Sequence, residues 1–180
     1  LCRLMSVTGP AGVGKSTVAL RAAELLLQHF RDGVWRVDLA LVDDGTALFD
    51  HVLQTLNTDL ATLACRHTLL VLDNCEHLRD ACKTLVEKLL NAAPRLSILV
   101  TSREALQADL ETVQHLPPLS LPPSSALGSV EETMGYSAVQ LFVSRARARQ
   151  QGFCLRLQDL EIVRDICRRL DGLPLAIELA

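Results

Sequence analysis

Nine consecutive residues, Gly9, Pro10, Ala11, Gly12, Val13, Gly14, Lys15, Ser16 and Thr17, carry a spacing with a definite chemical use. The pattern G-x-x-x-x-G-K-[ST] places glycines where backbone N–H groups converge on anionic oxygens, and it opens a helix whose N-terminus adds partial positive charge. In such a loop Lys15 reaches the β- and γ-phosphates of a nucleotide, the Ser16 hydroxyl ligates Mg²⁺, and Thr17 adds a further phosphate contact. The plainer reading is a glycine turn that caps a helix. The strand before the loop and the helix after it speak against that reading.

A second residue closes an apolar strand. The run "TLLVLD" ends in Asp73. In P-loop proteins an acid at such a strand end holds Mg²⁺ through water. An apolar strand ending in Asp is a weak signal alone and a strong one downstream of a phosphate loop. The next residue is Asn74, whose amide cannot take a proton from an attacking water as a carboxylate can. Glu76 is the nearest carboxylate for a general base. Its plainer and preferred reading is a residue in the first turn of the following helix. Slow hydrolysis is therefore expected, in a protein whose output is its nucleotide state. A fourth apolar run ends in Thr101, Ser102 and Arg103, at the strand end where open α/β sheets bind ligands. Arg103 is either a charge-assisted reporter on a γ-phosphate or an ordinary surface arginine, and spacing leaves both open.

Other constellations suggest less chemistry. Arg145, Arg147 and Arg149 spread around one helix, and the five histidines show no pairing. The cysteines, Cys2, Cys65, Cys75, Cys82, Cys154 and Cys167, form no C-x-x-C pair and have no His at metal-ligand spacing, so all six are expected to be reduced and structural. A net charge of -3 gives no general attraction to nucleic acid or to anionic membrane. Six scattered aromatic residues make no base-stacking platform. No apolar stretch reaches the roughly 18 residues needed to cross a bilayer. A soluble, cytoplasmic protein is expected, with no direct nucleic-acid contact and no membrane association.

The elements that must position these residues alternate strand and helix, which predicts an α/β fold with a mainly parallel five-stranded sheet flanked by helices. Strands are expected near Leu4 to Thr8, Val34 to Ala40, Thr68 to Asp73, Leu96 to Ser102 and Thr112 to Leu116. Helices are expected from Lys15 to Phe30, with Val18, Ala22, Leu25 and Leu26 on one face, from Thr46 to Asn57, and from Glu76 to Ala92. A short connector is expected between Asn57 and Thr68. "LPPLSLPPSS" holds four of the seven prolines and reads as an extended linker. Helices follow near Ala138 to Gln150 and Asp159 to Leu170. Asp171-Gly172 closes the last of these, and Pro174 can start another. The expected division is a nucleotide-binding domain over 1–120, a proline-rich linker over 121–136 and an incomplete helical subdomain over 137–180.

The ordered set GPAGVGKST, DGVWRVDLA, LLVLDNCEHL, ILVTSRE, LPPLSLPP, AVQLF and CRRLDGLPLAIELA resembles the NB-ARC-like STAND ATPases. It is most similar to the P-loop NTPase modules of bacterial multidomain transcriptional regulators of the winged-helix or LuxR type. The resemblance covers essentially the whole chain, and GLPLA is specific at this distance from a phosphate loop. It implies that Gly9 to Thr17 and Asp73 are the two Walker elements and that ATP or ADP with Mg²⁺ is the cofactor. It implies that Arg103 senses the γ-phosphate from a strand between the Walker strands, and that Pro174 packs on the nucleotide base. It also implies a weak ATPase working as a switch, closed by ADP and opened by ATP for assembly or signalling. The implied partners are DNA-binding and helical-repeat domains of a longer protein, with self-association in the ATP state. An upstream G-R-E element and a winged helix with a nucleotide-sensing histidine belong to the family pattern and are not among these 180 residues, so a piece of a longer protein is expected.

Two other readings compete. A P-loop kinase or other small-molecule phosphotransferase needs an arginine-rich lid and an acceptor pocket, where this chain has a proline linker and GLPLA. A scaffold that has lost nucleotide binding is opposed by Lys15, Ser16 and Asp73, all intact.

Overall fold

Apolar runs rich in Val, Leu and Ile form strands here because both of their faces are covered by helices. The computed structural model describes residues 2–42, 44–123 and 128–180. The chain divides into two compact units: Leu1–Pro10 with Lys15–Leu116, and Ala11–Gly14 with Pro117–Ala180.

The first unit contains strands β1 (Leu4–Thr8), β2 (Val34–Asp38), β3 (Leu69–Asp73), β4 (Ser97–Ser102) and β5 (Glu111–His115) and helices α1 (Lys15–Leu26), α2 (Leu48–Thr55), α3 (Leu60–Cys65) and α4 (Arg79–Ala92). The strands make one sheet in the order β2-β3-β4-β1-β5, with every neighbouring pair parallel. The five-stranded sheet with flanking helices is therefore as expected, and it is parallel throughout. Strand β4 lies between β1 and β3, and the register sets Thr8 against Ser102 and Asp38 against Asp73. The C-terminal ends of these strands, where the chemistry-bearing residues stand, thus line up along one sheet edge.

Alternation along the strands sorts the core into two layers. Leu70, Leu72, Ile98 and Val100 pack with Val52, Leu63, Cys82, Leu85 and Leu89 from α2, α3 and α4. Leu69, Val71, Leu99 and Val7 pack with Ala19 and Ala23 of α1 on the other side. The face of α1 that meets the sheet is therefore the alanine face. Val18 and Leu25, on the expected apolar face, are 43% and 64% exposed. Small side chains permit the close approach that larger ones would block. The helix also tightens into a 3-10 turn at Leu27–His29 rather than running to Phe30. The connector before β3 contains α3, capped by Asp59, whose carboxylate accepts from Thr62 N–H at 2.7 Å.

In the second unit, α5 (Val130–Thr133), α6 (Ser137–Arg149), α7 (Leu160–Arg169) and α8 (Pro174–Leu179) surround a small core of Ala138, Val139, Val143, Leu160, Val163, Cys167 and Ile177. The proline-rich stretch from 117 to 123 has no helix or strand, and Leu119 and Leu121 pack against that core. Leu119 N–H donates to Gly172 O at 2.9 Å, and Arg168 reaches Pro122 O. Gly172 has φ +64°, and a Cβ there would lie 2.5 Å from Leu119 O, so only glycine fits. Residues 124–127 of the expected linker lie outside the described residues.

Candidate functional site

The phosphate loop leaves β1 and enters α1 through Gly12 and Gly14, whose φ angles of +76° and +96° are costly for any residue with a Cβ. Lys15 is the first residue of α1 and is buried. Its Nζ donates to Gly9 O and Pro10 O at 3.0 and 3.1 Å, which folds the side chain back over its own loop. Burial pushes the Lys15 pKa down, Glu76 opposes that, Arg103 adds to it and Asp73 opposes it. An ammonium held in this way gains from an anion that restores its charge balance.

Asp73 ends β3 and is 1% exposed. Its Oδ1 accepts from Ser16 Oγ at 2.7 Å and from Thr101 Oγ1 at 2.5 Å, and its Oδ2 accepts from Arg36 Nη2 at 2.6 Å. Thr101 Oγ1 also accepts from Asn74 N–H at 3.0 Å. Asn74 takes a left-handed backbone at φ +64°, a conformation Asn tolerates better than most residues, and its side-chain amide donates to Asp38 Oδ1 at 2.8 Å. That bond, with Ala40 N–H and Arg36, holds the Asp38 carboxyl below its ordinary pKa. The residue after Asp73 is thus turned toward the end of β2.

Glu76 lies in a 3-10 turn, Cys75–His77, ahead of α4. Its Oε1 stands 3.7 Å from Arg103 Nε, and its buried Oε2 finds no hydrogen-bond partner among the described residues. The Ser102 hydroxyl is also buried without one. Arg79 pairs with Glu104 nearby. Together Glu76, His77, Arg79, Ser102, Arg103 and Glu104 line a cleft of about 370 Å³. Cys75 and Cys82 are buried in contact, which together with burial pushes the Cys75 thiol well up, and burial raises Cys167 to about 11. Both shifts favour the protonated thiol at Cys75 and Cys167.

The first unit therefore brings Ser16, Asp73 and Thr101 into one network and sets Arg103 beside Glu76. Pro174 is the first residue of α8 in the second unit. Within that unit Leu175 N–H donates to Gly12 O at 3.1 Å. Two contributors carried no sequence signal of their own, Arg36 and the Thr101 bond to Asp73. Ser16 Oγ and the Asp73 carboxylate are the hard oxygens Mg²⁺ takes, and two protein donors suit an ion that keeps most of its waters. Among the described residues no group of three or more His, Cys, Asp or Glu could hold a different metal. The residues present fit Mg²⁺ with a nucleotide phosphate chain.

A parallel sheet with a glycine-lysine loop after its first strand and a buried acid at the end of β3 defines a P-loop NTPase fold. Residues 1–108 match the family model described as an AAA domain, and the chain belongs to that family. An uncharacterized protein of Mycobacterium tuberculosis (strain ATCC 25618 / H37Rv) is 39% identical over 189 residues, covering 99% of this chain and 45% of that protein. A "Putative HTH-type transcriptional regulator" of the same strain is 37% identical over 189 residues, covering 99% of this chain and 20% of its own length. The chain thus spans less than half the length of either relative. Among solved structures, Cdc6p from Pyrobaculum aerophilum superposes with a TM-score of 0.62 at 16% identity, over 96% of this chain and 52% of that one. The replication initiator DnaA does so with a TM-score of 0.53 at 14% identity, over 99% and 55%. At these identities the likeness is one of fold. Among the described residues no helix is long and apolar enough to cross a membrane.

Proposed function

We propose that this chain is the ATP- and ADP-binding module of a signal-transduction switch of the NB-ARC-like STAND kind, acting in the cytoplasm within a larger transcriptional regulator and hydrolysing ATP slowly. The observation that carries the reading is the Asp73 network. A buried acid bonded to Ser16 suits metal and nucleotide binding, while the neighbouring Asn74 offers no carboxylate and spends its amide on Asp38. Glu76, the nearest alternative base, is engaged by Arg103. In this reading Gly9 to Thr17 cradle the phosphates, Lys15 contacts the β- and γ-phosphates, and Ser16 and Asp73 hold Mg²⁺. Bound there, Mg²⁺ neutralises phosphate charge. Arg103 reports on the γ-phosphate and Pro174 packs on the base. The relative of the HTH type supports a setting in transcriptional control, with DNA-binding and helical-repeat domains as partners and self-association in the ATP state.

The test is to titrate ADP and ATP with Mg²⁺, and to measure turnover, for the wild type and Lys15→Ala. Tight ADP binding lost in the variant, with turnover far below the enzyme median of about 10 s⁻¹, is expected. Turnover near that value, or phosphate transfer to an added acceptor, overturns the switch in favour of a phosphotransferase.

A further inference from the structure

Arg36 belongs to neither the phosphate loop nor the strand ends that flank it, yet it makes the one contact to Asp73 Oδ2 among the described residues, at 2.6 Å. It projects from β2, the edge strand beside β3, two residues before Asp38 and so on the same strand face. Its guanidinium also donates to Asp38 Oδ2 at 3.0 Å, so it bridges the two carboxylates. The pair is lopsided, since the Asp73 side chain is 1% exposed and that of Arg36 is 42% exposed. A fixed buried acid is thus covered by a cation that can swing into solvent.

We propose that Arg36 is the resident counter-ion of Asp73, a positioning residue whose charge on Oδ2 opposes Mg²⁺ arriving through water on the Ser16 side, at Oδ1, and that it thereby sets the Mg²⁺ concentration at which nucleotide binds tightly. The inference rests on the nucleotide-binding reading above. A hydrated dication and a guanidinium on the two oxygens of one carboxylate repel each other, so the exposed guanidinium yields toward Asp38 as the dication arrives. Asp38 acts in the same shift from the other side. It offers the departing guanidinium a partner, and without it Arg36 rests on Asp73 alone.

The test measures ADP affinity across a Mg²⁺ series for the wild type, Arg36→Gln and Asp38→Asn, with circular dichroism to verify folding. Arg36→Gln is expected to lower the Mg²⁺ midpoint about tenfold, within the ordinary range of coupling between two ligands. Asp38→Asn is expected to raise it. If Arg36→Gln fails to fold, the direction of the Asp38→Asn shift decides. ADP binding with unmoved midpoints, or shifts of the opposite sign, overturns the counter-ion role and leaves the nucleotide site standing. A wild-type chain that binds no nucleotide at any Mg²⁺ concentration overturns both.

Discussion

Two carboxylates three residues apart, Asp73 and Glu76, have opposite fates in the same unit. Asp73 is enclosed and hydrogen-bonded at both oxygens, by Ser16, Thr101 and Arg36. Glu76 has one oxygen at 3.7 Å from Arg103 and the other buried without a partner among the described residues, and the Ser102 hydroxyl lining the same cleft is likewise alone among them. A buried acid with both oxygens hydrogen-bonded is held in one geometry, because it gives up a partner only where another donor or cation takes that place. A half-engaged acid in a cleft resists change far less. The Asp73 half of the site is thus prearranged, and the half facing Arg103 holds its contacts less firmly.

The largest way to break this contrast is Asp73→Asn. The amide keeps the volume and loses the charge, so Mg²⁺ should no longer tighten nucleotide binding, with metal affinity down about 10–100-fold. A Mg²⁺ series with a fluorescent ADP analogue reads this directly, and a variant that responds to Mg²⁺ like the wild type would remove Asp73 from the metal site. Thr101→Val comes next. The swap keeps the shape but removes both a donor to Asp73 and the acceptor for Asn74 N–H, which should cost about 1–3 kcal/mol in urea denaturation.

The engaged half was largely legible in the sequence and the open half was not. Gly9 to Thr17 and Asp73 are read from local pattern, since the place of each in the fold follows from a strand end and a fixed spacing. Thr101 was visible as a strand terminus, but its bond to Asp73 depends on β4 lying directly beside β3, a fact of strand order. Arg36 had only its alternation with Asp38 as a hint, and its partner lies 37 residues away. Glu76 read as an ordinary first-turn residue because the 3-10 turn that precedes α4 leaves no mark on the helical period. The same limit hid α3, since six residues are too few to display a period. On α1 the hydrophobic count favoured Val18 and Leu25, while packing density against the sheet selected Ala19 and Ala23.

A pH series sharpens the role of Lys15, which feels the charge of both carboxylates. Burial lowers its pKa in the free protein, and an anionic phosphate favours the charged form, so binding raises it again. Affinity should therefore be level wherever both states are protonated. It should decline as pH rises through the free protein's depressed pKa, earlier than an unperturbed lysine would impose. Titrations of ADP affinity on the alkaline side test this. Lys15→Arg should carry no such decline, because a guanidinium stays charged throughout.

The smallest expected effect lies at Ser102. Its hydroxyl is buried without a partner among the described residues, so Ser102→Ala removes a desolvated group and creates little cavity. Stability should stay within about 0.5 kcal/mol of wild type or rise slightly, in contrast to Thr101→Val one residue earlier on the same strand. Equal costs for the two would mean that the Ser102 hydroxyl is as firmly engaged as that of Thr101. The difference between the two halves of the site would then vanish. A near-zero cost at Ser102 beside a clear loss at Thr101 locates the boundary between the fixed and open halves between adjacent residues of β4.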